Sequence, residues 1–190
     1  MRKAVYVLFT WLALAGNVYA QTEFLAGTAT VHLGIGFGNY WGSGYKTLVP
    51  PISASFEYGV VDGLLNGKAS VGVGAYLAAT STQWEEQVTD FHEYYNYSYS
   101  TLGARGTFHY HLLDNVDTYA GVLIGYNFIN SSGVGSRPKA IPNEPTAAIF
   151  IGARYYFVPE LAVYAEIKDG YASISSMEFG IALNISALLK

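Results

Sequence analysis

Residues 177–186 read Met-Glu-Phe-Gly-Ile-Ala-Leu-Asn-Ile-Ser. Met177, Phe179, Ile181, Leu183 and Ile185 are all large and apolar, while Glu178, Gly180, Ala182, Asn184 and Ser186 are small or polar. A period of two is that of a β-strand with one apolar face. The period recurs along the chain. Ala29, Val31, Leu33, Ile35 and Phe37 oppose Thr30, His32, Gly34 and Gly36. Ile52, Ala54, Phe56 and Tyr58 oppose Ser53, Ser55 and Glu57. Ala69, Val71, Val73, Ala75 and Leu77 oppose Ser70, Gly72, Gly74 and Tyr76. Leu102, Ala104, Phe108 and Tyr110 oppose Thr101, Arg105 and His109. Above them Tyr95, Tyr97 and Tyr99 fall on the opposite phase, which predicts either a bulge near Ser100 or a strand that has already left its first environment. Ala120 to Phe128, Ala147 to Tyr155 and Leu161 to Ile167 repeat the pattern, giving eight segments and no predicted helix.

The linkers alternate in length. Those after segments one, three and five are long, and those after two, four and six are tight, with Asp-Gly, Asn-Gly and Pro supplying turn chemistry. Long and short connections on opposite ends describe an up-and-down meander. In a water-soluble barrel the apolar face would point inward and the other face would carry charge. Here the other face is Gly, Ser, Ala and Tyr, and charged residues are only 13% of the chain, about half the usual share. The pattern therefore predicts an inside-out barrel: apolar side chains toward lipid, small and polar ones in a narrow lumen. Phe37, Tyr40, Trp41, Tyr58, Tyr110, Tyr126, Phe128, Tyr155 and Phe157 lie near segment ends, where aromatic girdles form.

Residues 1–20 have a different character. Arg2 and Lys3 precede an apolar run from Ala4 to Ala15, which ends in small residues before Ala20. This is the layout of a secretory signal peptide cleaved after Ala20, and the run is too short to anchor as a helix. The barrel domain is then 21–190. Loss of Arg2 and Lys3 leaves 8 basic against 14 acidic residues, a formal charge of −6, which argues against a nucleic-acid partner. With no cysteine there are neither disulfides nor thiolate metal sites.

The leader, the eight alternating segments and the stretches LGARGTFHYHL, DTYAGVLIGYNF, GARYYFVPELAVYAEI and FGIALNIS resemble the small outer-membrane β-barrel proteins of Gram-negative bacteria, the OmpA/OmpX type. The resemblance spans essentially all of residues 21–190 and is one of pattern, specific for architecture and weak for activity. It implies an all-β, eight-stranded antiparallel up-and-down transmembrane β-barrel in the bacterial outer membrane, surrounded by outer-membrane lipid. One departure is the ending SALLK, where such chains close on an aromatic residue.

The pattern turns Glu57, Arg105, Arg154, Glu166, Lys168 and Glu178 inward, with His32 and His109. Three acids against three bases reads as a self-paired lumen network rather than a catalytic or transport site, because buried charges must be paired. His32, His109 and His111 make a weak metal set without a third ligand fixed by spacing. Ser81, Asp90, His92 and Glu93 lie close in sequence but have no nucleophile motif around them, so we read no enzyme and no cofactor. The runs GIGFG and GVGAY are strand glycines, not phosphate loops. Trp84, Phe91, Tyr94 and Tyr95 form the candidate ledge for an extracellular protein or glycan. The expected role is structural or surface-interacting, as a monomer. The alternatives are a narrow pore for small solutes and, behind it, a lipid A-modifying enzyme.

Overall fold

The structure, a computed structural model, describes residues 24–38, 45–88, 91–134 and 141–189. The leader read over 1–20, with Tyr40 and Trp41, lies outside these residues. Eight strands follow one another: β1 (Ala29–Phe37), β2 (Tyr45–Gly63), β3 (Ala69–Val88), β4 (Phe91–Leu113), β5 (Val116–Val134), β6 (Glu144–Val158), β7 (Leu161–Tyr171) and β8 (Met177–Asn184). Each pairs antiparallel with the next, and β1 pairs with β8 from Thr30↔Asn184 to Phe37↔Met177, closing the barrel. Contrary to the sequence expectation there are two helical turns, α1 (Leu64–Gly67) and α2 (Ile185–Leu188), both at the end where the tight connections lie. Gly63, Leu65, Asn66 and Gly67 all have positive φ, so α1 is a sharp reversal between β2 and β3 rather than a packed helix.

The apolar face is outside. Leu33, Ile35, Phe56, Val73, Leu77, Val122 and Ile181 are all exposed, and Ile124, Ile149 and Ile151 reach 67%, 66% and 61%. Their neighbours along each strand are buried in the lumen. A continuous belt of this kind cannot face water without aggregating, and closure leaves no sheet edge within it, so the barrel is transmembrane. Aromatic pairs flank the belt: Tyr155 with Phe157 near the turn end, Tyr126 with Phe128 and Phe37 with Phe179 near the other.

Beyond the belt the wall becomes one-sided. β1 and β2 separate after Ile35↔Ile52, and β5 and β6 after Asn127↔Glu144, whereas β3 and β4 stay paired out to Val88↔Phe91. β2 to β5 therefore overhang the rest. Of the residues read as a long loop, 81–93, those over 81–88 and 91–93 are strand.

Of the two readings of the phase change near Ser100, the bulge is absent. β3 and β4 pair residue for residue from Ala69↔Tyr110 to Val88↔Phe91. Tyr95, Tyr97 and Tyr99 point into the barrel in phase with Thr101, Arg105 and His109, and all three are buried. The side-chain pattern inverts because the surroundings change, not the backbone. In lipid the greasy face turns outward; above it, in water, the greasy face turns inward.

This boundary can be measured. Ile151→Arg, on the lipid face midway along the outward run of β6, is expected to cost about 2–4 kcal/mol, the cost of arginine near the bilayer midplane. Ser98→Arg, also outward but on the overhang, is expected to cost about 0–1 kcal/mol. Denaturant unfolding in lipid vesicles reads both, and equal costs would mean that the belt is not in lipid.

Candidate functional site

Two ionic networks occupy the lumen. In the one nearer the turns, Asp117 on β5 and Arg154 on β6 are direct cross-strand partners, and both are fully buried. Arg154 Nη1 donates to Asp117 Oδ2 at 3.1 Å, and its Nη2 donates to Glu57 on β2. His109 on β4 bridges the same two carboxylates, with Nε2 2.6 Å from Glu57 Oε1 and Nδ1 2.9 Å from Asp117 Oδ1. The Thr107 hydroxyl also donates to Glu57. Glu57, Arg154, Asp117 and His109 thus form a closed ring of alternating acids and bases. An imidazolium donates at both nitrogens, and in that form two positive groups face two negative ones.

The second network lies further from the turns. Glu166 on β7 and Glu178 on β8 are direct cross-strand partners, a repulsive placement on its own. Lys168 offsets it by reaching both, with Nζ 3.2 Å from Glu166 Oε1 and 2.5 Å from Glu178 Oε2. Arg105 on β4 holds the other Glu166 oxygen at 2.9 Å. Tyr76 and Tyr164 donate to Glu178 at 3.0 and 2.5 Å. The cations also lie over rings: Arg105 4.3 Å from the Phe150 centroid and Lys168 4.3 Å from that of Tyr76. Gly34 makes room here, since a Cβ on it would come within 2.9 Å of the Glu178 side chain.

All six residues read from the sequence as lumen charges sit in these two networks. Asp117 completes the first and is absent from the sequence reading. It follows the turn in LLDNVD and passes there as turn chemistry, yet it shares the inward phase of Tyr119, Gly121 and Leu123. His32 is in the lumen with its Nδ1 3.1 Å from Ser55 Oγ, while His109 is held by carboxylates. Among the described residues no group of three or more His, Cys, Asp or Glu is arranged to hold a metal.

Described side chains reach into the lumen at both ends. At the turn end the chain before β1 folds under the barrel. Phe24 is buried, stacks on His109 at 4.0 Å and 22°, and lies 5.3 Å below the Arg154 guanidinium. Its carbonyl accepts from Ser70, and a Cβ on Gly72 would come 2.9 Å from its ring. Ala26 N–H donates to Asp62, and Ser186 on α2 accepts from Ala29 N–H and donates to the Gly27 carbonyl, tying the two ends of the described chain together. At the other mouth Tyr95, Tyr97, Tyr99 and Ile129 form a buried apolar cluster. The β7–β8 connection adds Ile174 to it, and Ala172 is held there by Asn127 and Thr146 on its carbonyl.

The expected surface ledge therefore divides. Tyr95 is core, not ledge, because its position faces the barrel interior; Trp84 lies partly buried against it at 5.8 Å. Tyr94 is on the outer face and exposed. The side chain of Phe91 is outside the described set, as are those of His92 and Glu93.

Arg154→Ala would leave Glu57 and Asp117 buried without their cation. It is expected to cost about 3–5 kcal/mol in vesicle unfolding, the cost of breaking a buried pair from one side. The triple change Arg154→Met, Glu57→Gln, Asp117→Asn is expected to recover much of that loss. A fully stable R154A protein would show that the ring contributes little.

No protein-family model matches the chain, and no curated protein matches it. Solved structures of similar shape include a de novo designed transmembrane β-barrel, at 17% identity and TM-score 0.46 over 83% of this chain and 95% of that one. The N-terminal β-barrel domain of Pseudomonas aeruginosa OprF has 11% identity and TM-score 0.44 over 84% and 98%. Ail, the attachment invasion locus protein of Yersinia pestis, in complex with the heparin analogue sucrose octasulfate, has 13% identity and TM-score 0.46 over 82% and 92%. These are likenesses of fold. The closed strand order and the outward apolar belt of the chain itself make it an eight-stranded antiparallel up-and-down transmembrane β-barrel.

Proposed function

We propose that this chain is an integral protein of the bacterial outer membrane, exported by the leader over 1–20 and cut after Ala20. On this reading it is a monomer without enzymatic activity, its barrel is a structural anchor, and its overhanging sheet is the contact surface. The observation that carries the reading is the double seal: Phe24 closes one mouth, the tyrosine and Ile174 cluster closes the other, and paired charges fill the space between. A filled lumen leaves no path for a solute, and the carboxylates described in it are held by Arg105, Arg154, Lys168 and His109. The wall of β2 to β5 beyond the belt is what remains to meet a partner, a protein or a glycan.

The sulfated ligand in the Ail crystal would not suit this surface. The outward positions described on the overhang hold Glu85 and a single cation, Lys46 on β2 opposite Gln83, so a polyanion would find little there to neutralise it.

Planar-bilayer recording on the purified barrel tests the anchor reading against the pore. We expect no steady conductance; a stable open level would overturn the closed barrel. Replacing the hairpin tip, residues 85–94, with a two-residue turn that keeps the Trp84–Tyr95 pair is expected to leave the protein in the outer-membrane fraction with its heat-dependent gel shift intact, and to remove surface binding. Loss of both together would make the overhang part of the fold rather than a contact surface.

A further inference from the structure

The overhang has two edges and one outward face, and they differ in what they offer a partner. The β2 edge beyond Ile52 carries Pro50 and Pro51, which have no N–H, and its pairing to β3 is interrupted twice between Thr47 and Ile52. These are devices that prevent strand addition. On the β5 edge the Ile129 N–H is taken at 2.8 Å by the Asn143 side chain. The edges are therefore poor templates, and the face is what is left.

That face is unusual in its chemistry. Going outward from the belt, the outward positions are Ser81 and Gln83 on β3, Ser100, Ser98 and Asn96 on β4, and Asn130 and Ser132 on β5. They form rows: Ser81 opposite Ser98, Ser98 opposite Asn130, Gln83 opposite Asn96, and Asn96 opposite Ser132. Gln83 donates to the Asn96 carbonyl at 3.0 Å, so the pair still has the Gln83 carbonyl and the Asn96 amide group to offer. The exposed Tyr94 follows Asn96 on the same face, and the charges described beside the rows are Glu85, opposite Tyr94, and Lys46 on β2, opposite Gln83. A solvated sheet face ordinarily carries Lys, Glu and Thr. This one is a neutral grid of hydroxyls and amides beside an aromatic ring.

Building on the surface-contact reading above, we infer that the outward face of β3–β4–β5 binds the neutral saccharide of glycolipid in the same leaflet. Hydroxyl and amide rows offer donors and acceptors at the spacing of adjacent strands, and Tyr94 offers a ring for the apolar side of a sugar. The one lysine described there, Lys46 at the β2 margin opposite Gln83, makes no cation cluster for phosphate groups, so the sugar is the feature recognised. The direction of the face selects the source. It points sideways, continuous with the lipid-facing surface below it, and Ser100 is two residues from the exposed Leu102 of the belt. A saccharide attached to a neighbouring lipid lies against it; a ligand arriving from solution would meet the tip first.

The test is amide hydrogen exchange of the full mature barrel in nanodiscs, with glycolipid carrying a neutral oligosaccharide or the same lipid stripped of its sugars. We expect the amides of β3, β4 and β5 beyond the belt to exchange about tenfold more slowly in the first disc, with those of the belt unchanged. Asn96→Val, Ser98→Val and Asn130→Val together keep strand-forming residues and are expected to abolish the difference. Equal exchange in the two discs overturns the inference. So does protection that persists on the sugar-free phosphorylated lipid, or that free oligosaccharide reproduces in discs without glycolipid. Failure to insert, seen as loss of the heat-dependent gel shift, would instead count against the outer-membrane reading on which this one rests.

Discussion

In hydrocarbon every backbone N–H and C=O must find its partner within the protein. The pairing of β1 with β8 meets that demand at the one place where an open sheet would fail. Everything else follows from this closure. It fixes eight strands around a lumen wide enough only for side chains. It sends alternate residues to two sides that do not mix, and it forces whatever is polar inside to be satisfied there. The inward glycines and serines are consequences of the same limit, since eight bulky side chains at one level would not fit.

The ionic networks are the solution to being polar in so small a space. A charge placed alone in the lumen would cost several kcal/mol. The sequence places four carboxylates there, two of them cross-strand neighbours. Arg154 suits its position because its planar fork sends Nη1 to Asp117 and Nη2 to Glu57 in a fixed geometry. Lys168 suits the other because two nearby acids need a compact cation between them. Each charged group of the two networks is held by a partner of opposite sign, which is what lets so narrow a lumen carry them.

Much of this was legible in the alternation alone. The eight segments, the outward greasy face and all six lumen charges follow from counting by two. What escaped did so for identifiable reasons. Asp117 sits beside a turn, where an aspartate has an ordinary local explanation that hides its place in the inward phase. The phase change at Tyr95, Tyr97 and Tyr99 was legible, but the alternation could not choose between a bulge and a strand leaving the membrane; the unbroken register of β3 and β4 does. Phe24 belongs to no periodic stretch, and its role depends on the chain folding back beneath strands that come later. The candidate ledge was half right in the same sense: Tyr94 and Tyr95 are neighbours in sequence and lie on opposite sides of the wall.

The two seals are built from different chemistry because they close different kinds of opening. At the turn end the wall is complete all round, and one ring suffices: Phe24 stacks on His109, covers Arg154 and keeps water from the ionic ring above it. At the other end the wall is incomplete, since β6, β7, β8 and β1 stop short of β2 to β5. Ion pairs there would be hydrated from the low side and so worth little. Tyrosines from the tall side, with Ile174 brought over by the β7–β8 connection, close the gap by excluding water and need no complete wall to do so. The overhang thus packs its inner face into the barrel, which binds its tyrosines there and leaves its outer face as the side free to vary.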